Sequence, residues 1–306
     1  MKPILIVHGG AGTIATERQA AYHQGLLEAL NHGFNKLRKS ADALEAVLAA
    51  VVVMEDNPDA FNAGTGGSPN REGAVECDAA VMAGHDRSSG AVAAITRIKN
   101  PILLADKVRR ESPHSLLVAE GAEALSDSYI DNSSLLTPYT RAAWQAWRQK
   151  QQLPIGSATV GAVACDSQGR FAAATSTGGV LGKWPGRVGD SPIIGAGNYA
   201  DANIAVSCTG KGEAFMRAVT AKSLALRLES GQAYPEALAA VLDELLQLDG
   251  NGGLISLSQD GQVGIGFNSA MMAYGYQHDD DTQSYVAVRP EAASSTTAQL
   301  HCFHVD

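Results

Sequence analysis

Strand-like runs in this chain come in groups instead of alternating one by one with helices. Residues 3–8 read as a buried strand ending in the loop His8-Gly9-Gly10-Ala11-Gly12. Residues 16–38 carry helical periodicity through Ala20, Leu26, Leu27, Leu30, Phe34 and Leu37. Ser40 reads as the N-cap of a second helix reaching Met54. After a Gly- and Asn-rich loop at 57–73, residues 75–83 and 90–96 read as strands. Residues 101–110 and 114–124 read as short helices, each with a proline near its start, and 138–151 as a further helix. A linker at 152–158 follows, and there the pattern changes abruptly. Residues 159–166 and 170–177 form a hairpin pattern around Asp166-Ser167-Gln168-Gly169. A glycine-rich loop at 177–190, a strand at 203–208 and a strong helix to about Leu228 come next. Helix 235–248, strands 253–258 and 262–267, and a loop and edge strand after 288 complete the chain. Two strand groups, each flanked by long helices, predict sheets packed between helical layers and not a βαβ alternation.

The 306 residues suffice to bury roughly three quarters of the unfolded surface, in one large domain or two. A net charge of −9 with no basic run argues against nucleic acid and anionic membranes as partners. Cys77, Cys165, Cys208 and Cys302 are scattered without a CxxC pair, which argues against structural zinc and a disulfide framework. The apolar run at the N-terminus is short for a signal peptide, and no run approaches the ~18 apolar residues of a membrane span. The cytoplasm is the expected location.

Thr159 opens the strand-like run Thr159-Val160-Gly161-Ala162-Val163-Ala164, directly after the bendable Pro154-Ile155-Gly156-Ser157-Ala158. A backbone break between Ala158 and Thr159 would give one residue both a nucleophilic hydroxyl and a neighbouring α-amine. Such an amine has a pKa of roughly 7.7–8.0, close to working pH, and can act as the base. That is nucleophilic catalysis by an N-terminal threonine. The plainer alternative is a threonine that merely starts a strand.

Three other constellations bear on that choice. The hairpin would return Thr177, in Thr175-Ser176-Thr177-Gly178-Gly179, to the end where Thr159 begins; a polar strand end entering a turn has the same spacing. Arg187 and Asp190 share a loop and could hold the carboxylate and ammonium of one zwitterion, or simply pair with each other. Thr209-Gly210-Lys211-Gly212-Glu213 lies between a strand and a helix, where outward N–H groups suit an oxyanion or carboxylate. No GxxxxGK[ST], GxGxxG or G-x-S-x-G frames a different chemistry. His278-Asp279-Asp280-Asp281 reads as a solvated acidic loop, and Glu76 and Asp78 as either paired acids or, the plainer account, strand-end charges near a turn.

Together these pieces resemble the plant-type asparaginase and isoaspartyl peptidase family of N-terminal nucleophile hydrolases. The resemblance rests on His8 to Gly12, Phe61-Asn62-Ala63-Gly64, Thr159 to Val163, Thr175 to Gly179, Pro185 to Pro192, and Ser207 to Gly210 with Gly212-Glu213, in order along the chain. It implies an α+β fold, a four-layer αββα sandwich, made as one domain of residues 1–306 and cut at Ala158–Thr159 into segments 1–158 and 159–306. It implies Thr159 as nucleophile and base, Thr177 as support for its hydroxyl, and Asn62 as an orienting group. Thr209 and Gly210 would stabilise the oxyanion. Arg187 would hold a substrate α-carboxylate, and Asp190 with the Gly210 and Gly212 region its α-amine. The substrates implied are β-aspartyl dipeptides and L-asparagine, with no organic cofactor and a dimer of αβ units. A structural sodium is implied at backbone carbonyls around Glu55, Phe61, Ala63 and Thr65. Rival readings are an amidase of other specificity and a dormant, uncut binding protein. The chain departs from the family in having Ala158 where glycine is usual, a short linker, and a 55–61 segment one residue longer. Ala158 predicts slow self-cleavage, because alanine reaches strained dihedrals at a cost that glycine avoids.

Overall fold

The computed structural model describes residues 2–150, 159–279, 283–290 and 298–305. Along the chain, β1 (Ile4–Gly12) leads into α1 (Thr16–Ser40) and α2 (Ala43–Glu55), followed by β2 (Cys77–Ala83) and β3 (Ser89–Ile95). Then come α3 (Pro101–Glu111), β4 (Leu116–Val118), α4 (Ala119–Glu123) and α5 (Pro138–Lys150). The second part runs β5 (Val160–Cys165), β6 (Phe171–Thr177), β7 (Asn198–Ala200), β8 (Ile204–Gly210), α6 (Gly212–Ala218), α7 (Thr220–Glu229) and α8 (Tyr234–Gln247). It closes with β9 (Gly252–Ser258), β10 (Gln262–Phe267), β11 (Met271–His278), β12 (Tyr285–Pro290) and β13 (Gln299–His304).

Among the described residues these strands make two sheets. One has eight strands in the order β12-β11-β1-β5-β6-β2-β3-β4, the other five in the order β13-β10-β9-β8-β7. Helices α1 to α3 pack on the outside of the first, α6 to α8 on the second, and β1, β5 and β6 lie against β8 and β9. The result is the expected αββα sandwich. Strand side chains alternate between faces, and here both faces are covered, so the inner strands are mainly apolar, with a few buried polar residues among them. Leu5 and Val7 of β1 join a cluster with Leu26, Leu30 and Val47 of the helices. Ile4 and Ile6, one residue out of phase, join Val163, Ile255 and Val263 on the other side.

Several boundaries differ from the sequence reading, each for a local reason. β1 continues through His8-Gly9-Gly10-Ala11-Gly12, predicted as loop, because a register shift between His8 and Gly10 absorbs an irregularity in its pairing with β11. Ser40 ends α1, Ala41 turns left-handed at φ 48°, and Asp42 caps α2 by accepting from the Leu44 and Glu45 amides. The stretch 114–124 splits into β4 and α4, and the helix after Gly212 breaks at Val219, also at φ 48°. β7, β11 and β12 were not anticipated. β11 is an interior strand between β12 and β1, and its Met271-Met272-Ala273-Tyr274-Gly275 run shows no polar alternation because both faces are covered.

Candidate active site

Thr159 stands one residue before β5 and is 2% exposed. β5 pairs antiparallel with β6, with Val160 opposite Ser176, so the next step along the hairpin brings Thr159 to Thr177. The Thr159 Oγ1–H donates to Thr177 Oγ1 at 3.1 Å. Thr177 Oγ1 also accepts from the Gly179 amide at 3.0 Å. Two donors on one oxygen fix its lone pairs and leave its own proton free to be given away. Asn62 steadies the same turn. Its Nδ2 donates to Gly179 O at 2.7 Å, its carbonyl accepts from Gly178 N at 2.8 Å, and its Oδ1 accepts from Ser68 N at 2.6 Å. Ala158, the other half of the expected cleavage site, lies outside the described residues.

Behind the threonine pair a polar seam joins the sheets. Thr175 Oγ1 and Ser207 Oγ are 2.7 Å apart, and His8 Nε2 lies 2.9 Å from Ser207 Oγ. Burial pushes the His8 imidazole down to about 3, and the nearby Thr159 backbone offsets only part of this. His8 is therefore neutral at working pH. Two residues beyond Ser207, Thr209 is fully buried, and its Oγ1 has no hydrogen-bond partner among the described residues. An orphaned buried hydroxyl is costly unless something else uses it. Gly210 follows at φ 150°, where a Cβ would stand 2.3 Å from Asn251 O.

Arg187 and Asp190 sit on the long loop between β6 and β7. They do not pair with each other. Arg187 Nε donates to Glu213 Oε1 at 3.0 Å. Arg187 Nη2 lies 2.9 Å from the same oxygen but off the hydrogen-bonding direction, so that N–H is not spent. Asp190 is 4% exposed, and its Oδ2 has no partner among the described residues. Burial pushes its carboxyl up to about 7, which the Arg187 charge opposes and Glu213 and Asp78 reinforce. A Cβ on Gly212 would stand 2.8 Å from Asp190 Oδ1 and 2.9 Å from Arg187 Nη2. The Asp190 carboxylate and the Arg187 guanidinium thus meet over a residue without a side chain, while the unpartnered Oδ2 of Asp190 borders Gly197, whose Cβ would stand 2.7 Å away.

Side chains that the sequence did not single out complete the surroundings. Ser176, next to Thr177 but facing the helices, donates to Glu55 Oε1 at 2.6 Å, and Ile102 N donates at 3.0 Å. Burial nonetheless pushes the Glu55 carboxyl from 4.5 up to about 8. Between those values the folded chain holds a proton that the unfolded chain has released. Stability therefore falls as pH rises across that window and is level above it, by on the order of 5 kcal/mol in all. Glu55→Gln cannot ionise, so its Tm should change less than that of the parent between about pH 5 and pH 9. Parallel pH profiles of Tm for the two proteins would refute this. Glu76 and Asp78 do lie at a strand end, as predicted, and are buried there, at 7% and 0% exposed. Their signal was an acid on an otherwise apolar strand; Asp78 shares its face with Ala80 and Met82.

Among the described residues no three His, Cys, Asp or Glu side chains are placed to hold a metal ion together, and no helix is long and apolar enough to cross a membrane. Residues 1–287 match the protein family described as Asparaginase. The isoaspartyl peptidase/L-asparaginase of Xenopus laevis is 41% identical over 290 residues, covering 92% of this chain and 94% of that protein. The isoaspartyl peptidase of Salmonella typhimurium is 40% identical, covering 92% of this chain and 97% of that protein. The human isoaspartyl peptidase/L-asparaginase is 40% identical, covering 91% and 94%.

Proposed function

We infer that this chain, which belongs to the asparaginase family it matches over residues 1–287, hydrolyses β-aspartyl dipeptides and L-asparagine through a terminal threonine. The observation that carries the reading is the Thr159–Thr177 hydroxyl pair at 3.1 Å, at the start of a strand whose preceding bond would be cut.

The steps follow from the chemistry of these groups. The cut at Ala158–Thr159 makes segments 1–158 and 159–306 and frees the Thr159 amine. That amine takes the proton from Thr159 Oγ, and the oxygen attacks the side-chain carbonyl of an aspartyl unit. The negative charge that develops on the carbonyl oxygen is met by the Thr209 hydroxyl and the Gly210 N–H. The protonated amine then passes its proton to the leaving nitrogen, so ammonia or an amino acid departs and an ester remains on Thr159. A water molecule, deprotonated by the same amine, attacks the ester and releases aspartate. Arg187 receives the substrate α-carboxylate as a planar fork, and Asp190 receives the ammonium group, whose charge would pull its raised pKa back down. Thr177 holds the nucleophile, and Asn62 holds the turn behind Thr177.

No step calls for an organic cofactor. The turn at 64–66 fits a structural sodium ion. A Cβ on Gly64 would stand 2.7 Å from Glu55 O, and one on Gly66 2.9 Å from Phe61 O, so both carbonyls border space kept free of side chains. With those of Ala63 and Thr65 these carbonyls would supply the hard oxygen donors such a cation takes, and its role there would be to fix the loop that carries Asn62. A dimer of αβ units is the proposed assembly. The four cysteines are unpaired, three of them buried, which suits a reducing compartment such as the cytoplasm.

Denaturing electrophoresis alongside turnover of a β-aspartyl dipeptide tests the reading. Two bands, corresponding to the two segments, with activity tracking their appearance, are expected. Full activity from an unbroken chain would overturn it, and one persistent inactive band would favour the dormant alternative. Ala158→Gly is expected to speed the cut several-fold in a time course after refolding or synthesis. An unchanged rate would show that the backbone before Thr159 is not what limits the step.

A further inference from the structure

We propose that Asp78 and Glu76 are positioning residues for substrate recognition, gripping the backbone on both sides of Arg187 so that Arg187 and Asp190 stay spaced for a single zwitterion. The inference rests on the reading of Arg187 and Asp190 as the substrate clamp.

Glu76 Oε1 accepts from the Gly186 amide at 2.9 Å. Asp78 Oδ2 accepts from the Gly189 amide at 3.3 Å. These amides lie one residue before Arg187 and one residue before Asp190, so each arm of the clamp has its preceding peptide tied to β2. The second oxygen of each acid is tied to the framework. Glu76 Oε2 accepts from Asn70 Nδ2 at 3.1 Å, and Asp78 Oδ1 accepts from Ala94 N at 2.9 Å. Lys183, 4% exposed, anchors the start of the same loop by donating to the Glu76 backbone carbonyl at 2.7 Å. Neither acid is thus a free surface charge, and both oxygens of each are already engaged with the protein.

Two features give this arrangement a function beyond packing. Asp78 lies opposite Thr177 in the β2–β6 register, and Thr177 holds the Thr159 hydroxyl. The clamp is therefore referenced to the strand that carries the nucleophile's partner, and this sets how far the zwitterionic end of a substrate sits from the attacking oxygen. The charges are also balanced. Burial pushes the Asp78 carboxyl up, and Lys183 and Arg187, which attract its charge, offset only part of this; burial, reinforced by Glu213 and Asp78, likewise disfavours negative charge on Asp190 until a cation arrives. A ligand bearing both an ammonium and a carboxylate satisfies Asp190 and Arg187 at once. One bearing only a carboxylate satisfies Arg187 alone.

The inference separates two reactions of one protein. Substrate turnover needs the clamp, but self-cleavage does not, because the Ala158–Thr159 peptide bond offers the clamp neither a free carboxylate nor an ammonium group. Asp78→Asn and Glu76→Gln should each raise KM for a β-aspartyl dipeptide by about tenfold or more, as loss of a charge-assisted hydrogen bond implies. Their kcat should stay within about twofold, and self-cleavage should run at the parental rate.

The test compares both variants with Arg187→Ala by measuring KM, kcat and the rate of cutting in the full-length protein. If Arg187→Ala raises KM and the two carboxylate variants do not, the positioning role is overturned and the clamp stands. If Arg187→Ala leaves KM unchanged, the clamp itself fails, and this inference with it. If Asp78→Asn and Glu76→Gln slow cutting and kcat as much as they raise KM, the acids merely support the sheet and the proposal is overturned. Should Asp78→Asn fail to fold, Glu76→Gln, at the less deeply buried position, carries the same KM test.

Discussion

Thr159→Ala protein is expected to remain a single full-length chain and to lose at least about 10⁴-fold in turnover of β-aspartyl dipeptides, the scale seen when a nucleophile is removed from a catalytic group that acts as a unit. Both losses have one cause. In the proposed mechanism the same oxygen attacks the preceding carbonyl during cutting and the substrate carbonyl during turnover, and alanine has none. The fold should be untouched, since Thr159 contributes a small buried side chain at the edge of a strand. Circular dichroism and Tm like those of the parent would establish that. Thr159→Ser keeps the oxygen and its reach to Thr177 Oγ1, so it should cut and turn over, more slowly, because a freely rotating serine hydroxyl is held less firmly than threonine's. A Thr159→Ala protein that cuts itself or retains turnover near the parental rate would remove the basis of the proposed mechanism.

Arg187→Ala should self-cleave normally and lose about 10²–10³-fold in kcat/KM for β-aspartyl dipeptides, almost all of it in KM. Arg187 is the side chain whose N–H at Nη2 is unspent and lies 2.9 Å from the place a Gly212 side chain would fill. Removing it leaves a substrate carboxylate facing Asp190 and Glu213, so the effect is loss of attraction plus exposed repulsion. Arg187→Lys should recover only part, because an ammonium cannot present two parallel N–H groups. The comparison substrate is an amide lacking the α-carboxylate: Arg187→Ala should affect its turnover little. Equal KM for parent and variant on the dipeptide would place carboxylate recognition elsewhere.

The layer order was legible because it depends on burial, which the sequence states directly. The apolar runs at 4–7, 160–165 and 254–257 and the helical periods around Leu26 and Leu238 carry that message without reference to partners. The neighbour of the proposed nucleophile was legible for a topological reason: a hairpin of known length returns Thr177 to Thr159. What failed depended on contacts between segments far apart. β11 reads as unpatterned because its two faces are buried by elements more than two hundred residues apart, α1 and β9 among its surroundings. Asp78 and Glu76 read only as strand-end charges, with no role at the site, because their partners, Gly189 and Gly186, lie about 110 residues downstream. Glu55 was expected to contribute only a backbone carbonyl, whereas its side chain is the proton-holding group beneath Ser176. The Arg187–Asp190 spacing suggested a mutual ion pair as one alternative, and only the placement of Glu213 shows where Arg187 turns instead.

In the larger sheet, β1 lies between β11 and β5, and β6 lies against β2. Strands from before residue 158 are thus threaded among strands from after residue 159, like the fingers of two clasped hands. Severing the link between the hands does not part them, since every ladder hydrogen bond along β1 still crosses from one fragment to the other. The proposed cut could therefore be complete without any dissociation, and it would have to come after assembly, because the site is built from both sides. Once such a molecule is melted, its fragments become separate solutes that must meet again by diffusion. Thermal inactivation should then be a one-way event whose recovery depends on protein concentration, whereas an uncut precursor would refold as a single chain.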